Sequence, residues 1–165
     1  MKNVTRGWWL LLWLVAIAAC TPQQTPEEKE AQQIVKYLQD QGLFADAIRT
    51  ESGVYYLITD STQGAYPDED EILKIEYKGY FLDEAKTVFD STNADSTGNG
   101  TRPYLEFILG RNQVIDGLDI GIRYFREGER GTLIIPSRLG YGSSGRGSIP
   151  GNTPLRFDIY LREIN

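Results

Sequence analysis

The stretch that decides the fold is "LRFDIYLRE", Leu155 to Glu163. Leu155, Phe157, Ile159 and Leu161 alternate with Arg156, Asp158, Tyr160 and Arg162. Side chains on a strand point to opposite faces in turn, so one face of this segment belongs to a core and the other to water. The same period runs upstream. "ILKIEYKGYF", 72–81, sets Leu73, Ile75 and Tyr77 against Lys74, Glu76 and Lys78, and "RPYLEFILG", 102–110, repeats it through Leu105, Phe107 and Leu109. "GVYYLIT", 53–59, alternates too, and "GTLIIP", 131–136, is a short apolar strand. One segment breaks the period: "VIDGLDIGI", 114–122, brings Ile115, Leu118 and Ile122 to one face at helical spacing. These patterns predict an α+β domain in which a curved antiparallel β-sheet wraps around one short α-helix.

A separate helix precedes the domain. "TPEEKEAQQIVKYLQDQG", 25–42, has Thr25 as cap, Pro26 in the first position, Glu28 to complete a capping box, and Gly42 as the stop. Ala31, Ile34, Val35 and Leu38 form its apolar stripe, a face for docking on the neighbouring domain or for a stalk. The polar stretch Ser91–Thr101 is predicted to be a loop between strands.

The beginning of the chain speaks to compartment. Lys2 and Arg6 precede an apolar run from Trp8 to Ala19, too short to span a bilayer and suited to a secretory signal. It ends in "IAAC", which resembles a bacterial lipobox, and Cys20 is the only cysteine in the sequence. The reading is cleavage before Cys20 and lipidation of its sulfur. Thr21, in place of the aspartate linked to inner-membrane retention, favours the outer membrane. The expected divisions are a lipoprotein signal peptide over 1–19, a lipidated tether and helix over 20–49, and the α+β domain over 50–165.

Composition narrows the chemistry. The formal charge is −6 and there is no histidine. An acidic chain without a basic cluster argues against a nucleic-acid partner. Without histidine, Ser-His-Asp and Cys-His catalysis and the usual zinc sites are excluded. No paired-carboxylate arrangement stands out, and neither metal nor cofactor is implied. Gly140-Tyr-Gly142-Ser-Ser-Gly145 matches G-x-G-x-x-G in form only. That motif must open a helix, and Gly147, Pro150, Gly151 and Pro154 follow it here.

Five landmarks then stand in order: "EYKGY" at 76–80, "VFDST" at 88–92, "FILGRNQVIDGL" at 107–118, "LGYGSSG" at 139–145, and "IPGNTPLRFDI" at 149–159. From Gly53 onward the chain resembles the FK506-binding-protein (FKBP) family of peptidyl-prolyl cis-trans isomerases. The resemblance implies a half-barrel around a short helix, and a pocket made of Tyr77, Phe89, Asp90, Phe107, Val114, Ile115, Tyr141, Ile149 and Phe157 with Leu118 as its floor. It implies proline-containing polypeptide substrates and an activity that accelerates X–Pro rotation. Leu118 replaces the tryptophan common at the floor, and Leu105 stands where an aromatic is frequent, so macrolide (FK506 or rapamycin) binding is less well supported than isomerase activity. For each apolar pocket residue taken alone, a place in the core is the competing assignment. Asp90, directly after Phe89, and Tyr141, among glycines, are poor choices for packing alone. Arg146 adds a charge near the mouth. The alternative function is a catalytically weak envelope chaperone or assembly factor using the same cleft. The layout of lipobox, helix and isomerase domain is similar to that of envelope isomerases linked to gliding motility. The tripeptide "DST" at 60–62, 90–92 and 95–97 resembles an O-glycosylation acceptor of some gliding bacteria, with Ser96 or Thr97 better placed than Ser91. Plain turn formation is the competing reading of those residues.

Overall fold

The computed structural model describes residues 24–92 and 103–165. The proposed signal, Cys20, and the candidate residues Ser96 and Thr97 lie outside them.

Helix α1, Pro26–Asp40, starts on the capping box predicted for it. The Glu28 amide donates to Thr25 Oγ1 at 3.2 Å, and the Thr25 amide donates to Glu28 Oε2 at 2.9 Å. It stops where Gly42 turns to a φ of +68°, and the Leu43 amide reaches back to the Leu38 carbonyl at 2.8 Å. The buried face differs from the aliphatic stripe: Tyr37 joins it, Ala31 leaves it and Val35 is only partly buried. Ile34, Tyr37 and Leu38 are buried while Ala31 is exposed. Tyr37 takes the central place because its ring packs on the sheet while its hydroxyl accepts from Arg156 Nη1 at 3.2 Å, so burial leaves no orphaned polar group.

Among the described residues seven antiparallel strands make one sheet: β1 Ile48–Arg49, β2 Tyr55–Asp60, β3 Ile72–Phe81, β4 Val88–Ser91, β5 Leu105–Ile108, β6 Arg130–Ile135 and β7 Leu155–Ile164. The order across it is β1-β2-β6-β7-β3-β4, and β5 also pairs with β3. The alternation in β7 is realised: Leu155, Phe157, Ile159 and Leu161 are buried. Helix α2, Asp116–Ile122, lies on this inner face and is the helix expected between the strands. The α+β architecture read from the sequence is the one found.

Strand β6 shows why Leu133, Ile134 and Ile135 are apolar in a row. Leu133 and Ile135 belong to the main core with α2, whereas Ile134 packs with Ile34, Tyr37 and Leu38 of α1. Here the sheet is covered on both faces. On the α2 side the approach is close enough to require glycine. A Cβ on Gly117 would fall 2.2 Å from Ile135 Cγ2, and one on Gly121 would fall 2.5 Å from Leu133 Cδ1. The pair "DGLDIG" is therefore a steric condition for seating the helix, and with it the residues at its start.

Candidate active site

Strand β3 carries Tyr77, and β4 runs beside it in a register that sets Gly79 opposite Asp90. A Cβ at Gly79 would meet Phe89 Cζ at 2.5 Å, so the glycine of "EYKGY" is what lets the Phe89 ring lie across the strand. Phe157 of β7 completes an aromatic cluster. Its ring is 5.7 Å from that of Tyr77 and 5.5 Å from that of Phe89, the latter edge-on. Edge-on and tilted pairs at such spacings use the ring quadrupole in addition to burial.

Helix α2 enters from below. Ile115 is its cap residue, with extended backbone and no side-chain cap. The Ile115 carbonyl accepts from the Leu118 and Asp119 amides at 2.9 and 3.1 Å. The preceding turn is fixed by the Gln113 side chain, which accepts from the Ile108 amide at 2.8 Å, and by Asp119 Oδ1, which accepts from the Gly110 amide at 2.8 Å. An uncapped helix start presents amide donors to whatever lies in front of it.

The glycine-rich segment forms the remaining wall. A 3-10 turn, Ser137–Leu139, follows β6, and the Gly140 and Gly142 amides both donate to the Ser137 carbonyl, at 2.9 and 2.8 Å. Tyr141 sits between those two anchors. Beyond it, the Gly145 amide donates to the Tyr141 carbonyl at 3.1 Å, and Arg146 and Ile149 exchange two backbone hydrogen bonds of 2.9 Å. Gly145 has a φ of +68°, and a Cβ there would lie 2.3 Å from the Ile149 carbonyl oxygen, so no other residue fits.

These walls enclose a cleft of about 430 Å³. Tyr77, Asp90, Val114, Ile115, Leu118, Tyr141 and Phe157 line it, as does Arg146. Phe89 stands against Phe157, while Phe107 and Ile149 are buried in the main core. Leu105, Asn112, Gln113 and Gly140 also line the cleft. Asn112 and Gln113 were not singled out in the sequence. Their signal is the left-handed Asn112, φ +52°, after Gly110, which marks a tight turn feeding the helix.

Two polar features dominate. Tyr77 Oη donates to Asp90 Oδ2 at 2.5 Å, and Asp90 Oδ1 accepts from the Ser91 amide at 2.8 Å. The carboxylate is thus committed to orienting Tyr77. The Tyr141 hydroxyl has no hydrogen-bond partner among the described residues. Burial pushes its ionisation above the usual tyrosine range; Arg146 opposes this and Asp90 adds to it. Tyr141 therefore keeps its proton at neutral pH and is a donor. In the "DST" at 90–92, Ser91 and Thr92 are buried, and Thr92 Oγ1 accepts from the Tyr77 amide at 3.0 Å, so this copy serves the fold. Among the described residues no cluster of His, Cys, Asp and Glu is arranged to hold a metal.

Residues 64–162 match the family model for FKBP-type peptidyl-prolyl cis-trans isomerase. A probable FKBP-type peptidyl-prolyl cis-trans isomerase, FkpA, of Neisseria meningitidis is 39% identical over 116 residues, covering 70% of this chain and 39% of its own length. FK506-binding protein 2 of Dictyostelium discoideum is 38% identical over 157 residues, covering 94% of this chain and 96% of its own. The crystal structure of FkpA from Escherichia coli superposes with a TM-score of 0.64 at 26% identity, over 85% of this chain and 62% of that one. The chain thus spans about two fifths of the length of the FkpA relative from Neisseria.

Proposed function

The chain belongs to the FKBP-type peptidyl-prolyl cis-trans isomerase family, and from that premise we propose that it accelerates rotation about X–Pro bonds in exported or envelope polypeptides. The observation that carries this reading is an aromatic cleft in which a protonated tyrosine hydroxyl, Tyr141, stands without a hydrogen-bond partner among the described residues.

The barrier to rotation is about 18–20 kcal/mol, because the planar amide is stabilised by charge separation across C, O and N. Water favours that planar, dipolar form over the twisted one. The Tyr77, Phe157, Val114 and Leu118 walls take the prolyl ring out of water and remove the bias. Twisting also leaves the nitrogen pyramidal and the carbonyl free to swing, so the neighbouring carbonyls need fixed donors. The Tyr141 hydroxyl and the Ile115 amide at the start of α2 are those donors. Asp90 holds the Tyr77 ring and takes no proton. The reaction needs neither nucleophile nor metal.

The rest of the reading concerns placement. We assign residues 1–19 to a signal peptide, Cys20 to lipid attachment, 20–49 to a tether with α1, and 50–165 to the isomerase domain, anchored to the cell envelope with the outer membrane favoured. Among the described residues no helix is long and apolar enough to cross a membrane. A Cys20→Ala protein that still partitions with membranes overturns the anchor. Macrolide binding rests on less, since Leu118 replaces an aromatic floor, and inhibition by FK506 is a separate measurement.

The deciding experiment is isomerisation of a proline tetrapeptide by residues 21–165. Acceleration over the uncatalysed rate supports the reading. A folded protein that binds unfolded chains but leaves the rate unchanged favours the chaperone alternative.

A further inference from the structure

Helix α1 does more than cover the sheet. Glu30, in its second turn, reaches the root of the Tyr141 loop with both carboxylate oxygens. Oε1 accepts from the Ser137 amide at 2.5 Å, and Oε2 accepts from Ser137 Oγ at 2.8 Å. Ser137 is 6% exposed, so water does not replace these bonds without opening the turn. The Ser137 carbonyl in turn holds the amides of Gly140 and Gly142, the residues on either side of Tyr141. The path from helix to active-site tyrosine is therefore a chain of four hydrogen bonds through one buried serine. Arg138, in the same turn, donates to the Ser52 carbonyl. Docking of α1 does not depend on Glu30, because Ile34, Tyr37 and Leu38 bury their side chains against the sheet one to two turns further along.

We propose that Glu30 is a positioning residue for Tyr141, so that the N-terminal helix sets the geometry of the isomerase cleft through Ser137. The proposal rests on the isomerase reading for its kinetic readout only. It places a determinant of activity outside residues 64–162, which match the family model. Glu30 touches no substrate. It fixes the loop root, and the loop presents the hydroxyl.

The test uses the full chain and the variants Glu30→Ala, Glu30→Gln and Ser137→Ala, with Gln32→Ala as a control on the exposed face of α1. Loss of hydrogen bonds to a charged acceptor predicts that kcat/KM falls about three- to tenfold in Glu30→Ala. Glu30→Gln keeps an acceptor for the Ser137 amide and recovers part of the loss. In a Tyr141→Phe background Glu30→Ala has little further effect, because both changes disable one donor. Amide exchange at Gly140 and Gly142 accelerates in Glu30→Ala, and this needs no activity to be read. An additive loss in the double variant, or a folded Glu30→Ala with wild-type kcat/KM, overturns the proposal. If Glu30→Ala fails to fold, Glu30→Gln carries the same comparison. A wild-type protein without activity refutes the isomerase reading instead. In that case unchanged exchange at both glycines overturns the clamp, and faster exchange leaves it standing as the loop's anchor.

Discussion

Replacing Tyr141 by phenylalanine isolates one donor. The hydroxyl has no partner among the described residues, so its loss orphans nothing inside the protein. The ring keeps its contacts with the main core. Stability should therefore stay within about 0.5 kcal/mol of wild type, as for a substitution that creates neither cavity nor unpaired group. Activity should fall by the worth of one neutral hydrogen bond, about 0.5–1.5 kcal/mol, which is about a two- to tenfold drop in kcat/KM. Tyr141→Ala should fall further and also lower Tm, because the half-buried ring leaves the core and the cleft opens to water. The pH profile adds an independent check. Burial holds the Tyr141 proton more tightly in the folded state than in the unfolded chain, so the donor is present through neutral pH and is lost only above the ordinary tyrosine value of about 10. Stability follows the same sign: it is unaffected below the unfolded value and declines as pH rises towards the folded one. An alkaline fall in kcat/KM should disappear in Tyr141→Phe. It should move to higher pH in Arg146→Ala, since Arg146 opposes the shift. The assay is line-shape or protease-coupled isomerisation of a proline tetrapeptide, with melting followed by circular dichroism. A silent Phe variant beside a destabilised Ala variant would refute the reasoning and make Tyr141 a packing residue.

Asp90→Ala should keep the fold, because the side chain is exposed, yet release Tyr77 and lower kcat/KM severalfold, less than the full worth of the bond because the Tyr77 ring keeps its contact with Phe157; full activity in the folded variant would reduce Asp90 to a structural role. Phe157→Ala removes a ring from the middle strand and from contact with both Tyr77 and Phe89, and should destabilise by about 3–5 kcal/mol in denaturant melts. Gly117→Ala should destabilise by about 1–3 kcal/mol through overpacking against Ile135, and should reduce kcat/KM because Ile115 and Leu118 move with the helix. A wild-type melting curve for Gly117→Ala would mean that α2 can lift without penalty.

The strands were the most legible part of the sequence. In β3 and β7 the period of two runs for ten residues each, and burial on one face only is what writes that pattern. Helix α1 was legible at its start because capping is local chemistry, whereas its buried face needed the partner surface: nothing nearby in sequence says that Tyr37, not Ala31, meets the sheet. Strand β1 is two exposed residues, Ile48 and Arg49, too short to carry a period. The site was legible where residues are unsuited to packing, at Asp90 and Tyr141. It was illegible where a contact joins distant segments. Glu30 and Ser137 carry no local signal of each other, and an exposed helix face is the ordinary place for a glutamate. Glu129 is similar: it is buried, yet its carboxylate accepts from the Thr62 and Arg126 amides, a pairing visible only once the turn is closed.

The strand order also bears on how the chain is made. β7 lies between β6 and β3, and it is the last of the seven to be synthesised. Until residues 155–164 arrive, the sheet is two separate halves, β1-β2-β6 and β3-β4-β5, each with an open edge where its main partner belongs. Folding of such a topology waits for contacts distant along the chain and is slow for that reason. A premature stop anywhere before Leu155 removes the keystone of the sheet and leaves two exposed edges for chaperones and proteases to find.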